Sequence, residues 1–319
     1  MKIKNLLMFF VLLAITGSVA FFSQNSDINK NLTSTIKAVE PNATYGPKGA
    51  EIILRIGNGG AGPTCVLEAL SEDFIESKKF NIQIAWIQTI SRLTLENLKE
   101  KNIDVSFTYE AEPELQAIQE GWASDRTLVF NDHFLIVGPK NNPAGILPND
   151  SVSIAFQKIA QHGAFFSRND LSGTNQRERD IWEIVKLKPW EGRVKWYVAA
   201  QAFPVDALKK ADNENLYTLT DRGTILAIHE DLKNTAVYIQ DDEMLMNRCH
   251  AMLQDKPNKY AKEFLDYLQS SRAQALIAKY AGKNKKDCID CCPLFTSAIE
   301  DQFLERNCLQ RLGLMSNCP

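Results

Sequence analysis

The amino-acid sequence predicts an α/β fold built on a parallel sheet, and three observations carry that prediction. Strand-like and helix-like segments alternate along the chain; three strand candidates end in turns of small and polar residues that open helices; and 319 residues at 45% hydrophobic composition suffice for a sizeable core, in one large or two medium domains. The formal net charge of -3 gives no sign of a nucleic-acid surface.

At the N-terminus, Lys2 and Lys4 precede an apolar run from Leu6 to Ile15 and a small-x-small pattern at Ser18-Val19-Ala20, which predicts a secretory signal peptide over residues 1–20. Counted as far as Phe22, the run only just reaches the length of a membrane anchor, and Thr16, Gly17 and Ser18 interrupt it. Residues 21–50 are polar, with Pro41, Gly46 and Pro47 and no periodicity, and are expected to form a flexible leader. Asn31-Leu32-Thr33, Asn42-Ala43-Thr44 and Asn149-Asp150-Ser151 match the glycosylation acceptor pattern of a secreted glycoprotein, though each tripeptide is common by chance. With the signal they favour secretion from a eukaryotic cell, a bacterial periplasm being the other expected location.

Residues 51–56 read as the first strand, and Gly57-Asn58-Gly59-Gly60-Ala61-Gly62-Pro63 follows it. Glycines at this density cost conformational entropy, so the backbone is expected to approach something closely. Pro63 suits a first helical turn, with Val66, Leu67, Leu70 and Phe74 as the apolar stripe. The loop matches G-x-G-x-x-G, but no acidic residue is placed to hold a ribose and no lysine completes a phosphate loop. What is left is a nest of N–H groups or a turn without a ligand.

Residues 80–87 and 103–109 read as strands, and 91–100 and 112–120 as helices, with Trp86 and Phe107 expected in the core. Residues 127–139 form the longest strand-rich segment, suited to joining two lobes. His133 within it has no histidine beside it and reads as a polar hinge residue rather than a metal ligand. Asn142-Pro143-Ala144-Gly145 is a turn and 153–160 a helix.

Residues 165–174, Phe-Phe-Ser-Arg-Asn-Asp-Leu-Ser-Gly-Thr, read as a strand, a turn and the start of a helix that carries Trp182, Ile184 and Val185 as apolar positions. Free N–H groups and the positive end of the helix dipole suit such a turn to an anion, and Arg168 adds charge. The plain alternative is a helix capped by Asp170 or Ser172, with Arg168 paired to a surface carboxylate. After a strand at 194–198 and a short helix at 205–211, residues 217–226 repeat the pattern, with Thr220 or Asp221 as the cap and Arg222 beside it. Residues 236–239 read as a strand, 244–247 as a turn, 249–253 as a return strand, and 260–267 and 271–280 as helices.

Cys288, Cys291, Cys292, Cys308 and Cys318 crowd the C-terminus. Behind a signal peptide they predict a disulfide-stapled tail over residues 283–319 rather than a metal or redox motif, because no histidine and no second clean pair stands at zinc spacing. Cys65 and Cys249 lie in apolar surroundings, as inert core residues or as a lone bridge. Seven cysteines is an odd number, so one thiol is left free or intermolecular.

Three segments together carry a resemblance: residues 129–139 with Asn142-Pro143-Ala144-Gly145, Phe166 to Thr174, and Tyr217-Thr218-Leu219-Thr220-Asp221-Arg222-Gly223-Thr224. The chain resembles the TupA-type tungstate-binding proteins of bacterial uptake transporters, in the periplasmic-binding-protein-like (type II) family, over roughly residues 51 to 282. That resemblance implies a two-lobed α/β fold with a central cleft and a hinge. Lobe one would comprise residues 51–133 plus 248–282, and lobe two residues 134–247. It also implies a small oxyanion, tungstate- or molybdate-like, bound in the cleft without a metal or other cofactor. Ser167, Arg168, Ser172, Gly173 and Thr174 would hold it from lobe two, and Asn58, Gly59 and Gly60 from lobe one. Glu110, Asp221 and Arg222 are additional candidates. Three departures stand out: glycines replace the family's hydroxyl-rich first loop, Tyr109-Glu110-Ala111 stands where the family has a His-Ala-Pro segment, and Phe203-Pro204 replaces a glycine-rich approach to the next helix.

The expected protein is therefore a monomeric, secreted binding protein, without enzymatic activity, with a membrane transporter as an open question. Two other classes stand beside it. One is a secreted interaction or structural protein that kept the fold and lost the anion, motivated by the altered loop and the tail. The other is an enzyme using Asp170, Asp221 or Glu110, or Ser172 as nucleophile; no paired acid and base, metal cluster or activating histidine supports it by spacing.

Overall fold

The computed structural model describes residues 40–89, 91–170, 172–240, 242–283, 291–299 and 306–316. The predicted signal peptide, the Asn31 acceptor, Cys288 and Cys318 lie outside the described residues. Asn42 and Asn149, the other two glycosylation acceptors, are exposed.

Strand β1 (Ala43–Tyr45) sits at the end of the stretch expected to be a flexible leader, yet it pairs antiparallel with β3 (Ile82–Gln88), where Tyr45 becomes buried. Strand β2 (Glu51–Asn58) lies parallel between β3 and β4 (Val105–Thr108). It runs two residues beyond its expected end, taking in Gly57 and Asn58. Helix α1 (Val66–Lys78) buries Val66, Leu67, Leu70 and Phe74, the predicted stripe, and the Phe74 ring lies 5.1 Å from that of Phe264. Each such side chain stabilises the fold by about 1.5–3 kcal/mol. Helices α2 (Ser91–Lys99) and α3 (Ala111–Gln119) complete the crossovers, and Trp86 and Phe107 are buried as expected.

The sheet is mixed rather than parallel, because of one long strand. The first part of β5 (Ala123–Pro139) pairs antiparallel with β10 (Met246–Gln254), which pairs antiparallel with β4; the last part of β5 pairs with β8 (Tyr217–Asp221) and β9 (Thr235–Ile239). One strand thus serves both lobes. Met246 and Asn247, expected in a turn, instead open β10 opposite His133 and Asp132. Beyond β8 the second lobe continues in parallel through β6 (Phe165–Ser167) to β7 (Tyr197–Ala199). Its helices are α4 (Val152–His162), α5 (Gly173–Ile184), α6 (Pro204–Glu214) and α7 (Arg222–Ile228). Phe156 and Phe165 pack on Trp182 with ring centroids 4.4 and 5.3 Å away, forming this lobe's own apolar centre.

Helices α8 (Lys259–Leu268) and α9 (Ser271–Lys279) return to the first lobe, with Phe264 between Phe74 and Phe107. The tail adds β11 (Thr296–Ser297) and α10 (Arg306–Arg311). Cys292 and Cys308 form a disulfide across a sequence separation of 16, and Cys291 is also disulfide-bonded. A loop of this size stabilises by about 3 kcal/mol in the chain-entropy account. Cys65 and Cys249 are free thiols, so no bridge joins them.

Candidate functional site

In each lobe the parallel strands end in loops that lead into helices, the edge at which open α/β sheets bind their ligands. Strand β2 ends at Asn58, whose side chain is fully buried. Its Nδ2 donates to the Phe107 carbonyl at 3.0 Å, and its Oδ1 accepts from the amides of Ala61 and Gly62 at 2.9 and 3.0 Å. Asn58 is therefore committed to shaping the glycine loop, and two loop amides are engaged by it. The amides of Gly59 and Gly60 have no partner among the described residues.

The close approach that the glycines called for has a protein partner. A Cβ on Gly62 would stand 1.9 Å from Cζ2 of Trp86, whereas one on Gly60 would meet nothing within 4 Å. Gly62→Ala is expected to destabilise the protein by about 1–3 kcal/mol through overpacking. Gly60→Ala should stay within about 0.5 kcal/mol of the native chain. Urea unfolding of the two variants compares them directly, and equal midpoints would mean that the indole gives way freely.

In the second lobe, β6 ends at Ser167 and the mostly buried Arg168 follows. Arg168 donates from Nε to the Ala202 carbonyl at 3.1 Å and from Nη1 to Thr174 Oγ1 at 3.2 Å, and its Nη2 is ion-paired with Asp170 Oδ2. The other oxygen of Asp170 accepts from the Ser172 amide at 3.1 Å and hydroxyl at 2.6 Å. Ser172 in turn caps α5, its Oγ accepting from the Asn175 amide at 3.4 Å. The plain alternative read from the sequence, a Ser172 cap with Arg168 paired to a carboxylate, is thus realised. Gly173 is exposed at the head of the helix, with open space where a side chain would be.

Ser167 points elsewhere. Its hydroxyl donates to Glu178 Oε2 at 2.6 Å and accepts from Asn175 Nδ2 at 3.2 Å and the Asn169 amide at 3.3 Å. Glu178 takes two further bonds on Oε1, from Trp182 Nε1 at 3.1 Å and Tyr197 OH at 2.7 Å. Burial pushes the Glu178 carboxyl up, against the bonds from Ser167, Tyr197, Asn175 and Trp182 that hold it down. Asn169 is held at φ 43°, in the left-handed region.

Arg168, Thr174 and Asp221 line one recess together with Pro204, Leu208 and Thr218. Asp221 caps α7, accepting from the Thr224 amide at 2.7 Å and hydroxyl at 2.6 Å. The next residue but one, Gly223, has its Cβ position 3.6 Å from Thr64 Cγ2, so this turn abuts the one that follows the glycine loop. Arg222 is buried and turned to the tail, with Nε donating to the Pro293 carbonyl at 2.8 Å. Glu110 stands half-buried at the head of α3, its amide bonded to Glu114 Oε1 at 2.9 Å; burial pushes its carboxyl up and Arg92 opposes this. His133 is buried in β5 with Nε2 2.9 Å from Thr296 Oγ1, and burial with nearby Arg222 brings it down to about 4.

Sequence reasoning passed over Glu178, Asn175 and Ala202. A signal for the first two was present: the buried positions of α5 are Asn175, Glu178, Ile181 and Trp182, so polar residues occupy the helical stripe that should be apolar. The Ala202 carbonyl carries no signal in its side chain.

Residues 38–272 match the PBP superfamily domain. The tungstate-binding protein TupA of Peptoclostridium acidaminophilum is 33% identical over 242 residues, which is 72% of this chain and 80% of that protein. Among solved structures, the tungstate ABC transporter from Geobacter sulfurreducens is 27% identical with a TM-score of 0.60, covering 71% of this chain and 98% of its own. The tungstate-binding protein TupA from Desulfovibrio alaskensis G20, 24% identical with a TM-score of 0.68 over 78% of this chain and 99% of its own, shares the fold. The two-lobed periplasmic-binding-protein-like architecture expected from the sequence is the one found.

Proposed function

The chain belongs to the PBP superfamily, and from that premise we propose that it is a non-catalytic solute-binding protein for a small oxyanion of the tungstate or molybdate kind, held in the interlobe cleft. The observation that carries the proposal is Arg168. A guanidinium is fixed at the head of α5 by the Ala202 carbonyl, Thr174 and Asp170, beside the open backbone of Gly173. Charge-assisted bonds from an arginine and helix N-terminal amides are a means of recognising an anion without a metal. In this reading Thr174 and Gly173 contribute with Arg168 from one lobe, Gly59 and Gly60 from the other, and Asn58, Ser167 and Ser172 act by holding the loops in shape. The names of the tungstate-binding relatives favour tungstate among the candidates.

Titration calorimetry and thermal unfolding with tungstate, molybdate, sulfate and phosphate test the proposal. A ligand at one hundred times its Kd stabilises the folded state by about 2.7 kcal/mol, enough to read as a raised Tm. Heat and a raised Tm with tungstate or molybdate are the expected result; neither heat nor a shift from any of the four removes the oxyanion reading. The second reading, a protein that kept the fold and lost the anion, draws on the internal satisfaction of the site: Asp170 already engages Arg168 and Ser172, and Asn58 already engages two loop amides. The transport-associated relatives support a periplasmic or secreted location, with a membrane transporter as the partner to look for. Nothing among the relatives described favours secretion from a eukaryotic cell.

A further inference from the structure

We infer that the C-terminal tail is a further crossing between the lobes, a disulfide-closed strap that limits how far they move relative to one another. The reasoning starts from where the described parts of the tail make their bonds. Strand β11 lies antiparallel on the part of β5 that belongs to the first lobe, with Thr296 and Ser297 opposite Asn131 and Phe130. Phe295 packs on Phe130 at 4.7 Å, and the Ser297 hydroxyl and Ala298 amide both donate to Gln274 Oε1 on α9 at 2.8 Å. This end is anchored in the first lobe by a strand, a ring pair and a buried amide.

The same tail is also bonded to the second lobe. The Pro293 carbonyl accepts from Arg222 Nε on α7 at 2.8 Å. Farther along, the Leu314 carbonyl accepts from the Val237 amide on β9 at 2.7 Å, and the Ser316 amide donates back to the Val237 carbonyl at 3.0 Å. Between these attachments the Cys292–Cys308 disulfide ties the beginning of the tail directly to α10. Cys292, Phe295, Cys308, Leu309 and Leu314 are buried in one apolar cluster with Phe130 and Val237.

The strap crosses at the joint itself. Thr296 meets His133, the last residue of β5 to pair with β10, and Phe134 immediately after it pairs with β8. The Leu294 amide bonds to the Tyr280 carbonyl at 2.8 Å, and the Tyr280 hydroxyl bonds to the Thr64 carbonyl at 2.8 Å, next to the place where Thr64 meets Gly223. Opening or closing about β5 and β10 must therefore stretch or break bonds that the tail makes on one side or the other, a restraint that two-lobed proteins hinged only on their crossing strands do not have.

Spin labels attached through introduced keto side chains at the exposed positions Lys78 and Lys195 report the distance between the lobes without using cysteine. The experiment is done on the full chain without ligand, so its outcome is independent of the oxyanion reading, which calorimetry decides separately. Two variants loosen the strap differently: Cys292→Ser/Cys308→Ser opens the closed loop, and Ser316→Pro removes the amide that bonds to Val237 while leaving the disulfide intact. Each is expected to give a distance distribution roughly twofold broader than that of the native chain. A distribution of native width in folded Ser316→Pro protein overturns the inference, and it does so even where the double cysteine variant fails to fold.

Discussion

Replacing Glu178 with alanine is expected to lower the unfolding free energy by about 2–4 kcal/mol, since buried neutral donors that lose their acceptor cost about 1–3 kcal/mol each before the lobe relaxes around them. The carboxylate accepts from Ser167, Asn175, Trp182 and Tyr197 together, and it is 2% exposed, so water cannot take its place without entering the lobe. Ser167 Oγ, Trp182 Nε1 and Tyr197 OH would lose the acceptor they share. The loss would reach the site, because the Ser167 hydroxyl oriented by Glu178 also accepts from the Asn169 amide, which belongs to the turn carrying Arg168. Urea unfolding followed by circular dichroism measures the effect, and a loss below about 1 kcal/mol would show that the network closes up around the gap.

The pH dependence has a definite sign. Burial raises the Glu178 carboxyl above its value in the unfolded chain, so the folded protein binds the proton more readily over the window between the two values. Stability from this group is accordingly greatest below the unfolded value. It declines as pH rises through that window and is gone above the folded value. In Glu178→Gln the decline should disappear, although the amide sets an NH2 group against donors and leaves the protein less stable than the native chain at low pH.

How much of this was legible beforehand differs between fold and site, for physical reasons. Helix α1 was readable because its apolar positions recur at helical spacing and all four are buried; the strand-turn-helix at Asp221 was readable because a capping residue announces itself. The mixed sheet was not, since the direction of β10 is decided by pairing with β4 and β5, far away in sequence. Residue type singled out Arg168, Thr174 and Asp221, and these three line one recess. Residue type could not say which way a side chain turns. Asn58 and Ser167 have the chemistry of ligand donors, and each is instead engaged by its own scaffold. The glycine loop called for a close approach or a plain turn, and Gly62 makes the approach while Gly60 does not; the sequence could not distinguish an indole from an anion as the thing approached.

On the proposed oxyanion reading, Arg168→Ala is expected to weaken binding of the anion that calorimetry identifies about 100-fold, a loss of ~2.7 kcal/mol, which is the scale of one or two hydrogen bonds to a charged group. Arg168→Lys should recover only part of this, because an ammonium cannot reach the Ala202 carbonyl, Thr174 and Asp170 at once as the planar guanidinium does. Unchanged ligand-dependent stabilisation in Arg168→Ala would place the pocket elsewhere. Asp170→Asn makes the sharper comparison. Its carboxylate sits on the arginine and on the Ser172 amide and hydroxyl, so it offers Arg168 the negative charge that an incoming oxyanion would offer. The asparagine oxygen keeps an acceptor in place while removing the charge. If Asp170 competes with the anion, affinity rises in Asp170→Asn; if it serves chiefly to aim the guanidinium, affinity falls toward that of Arg168→Ala. The direction of that one change decides whether the arginine is held ready for a ligand or is held in place of one.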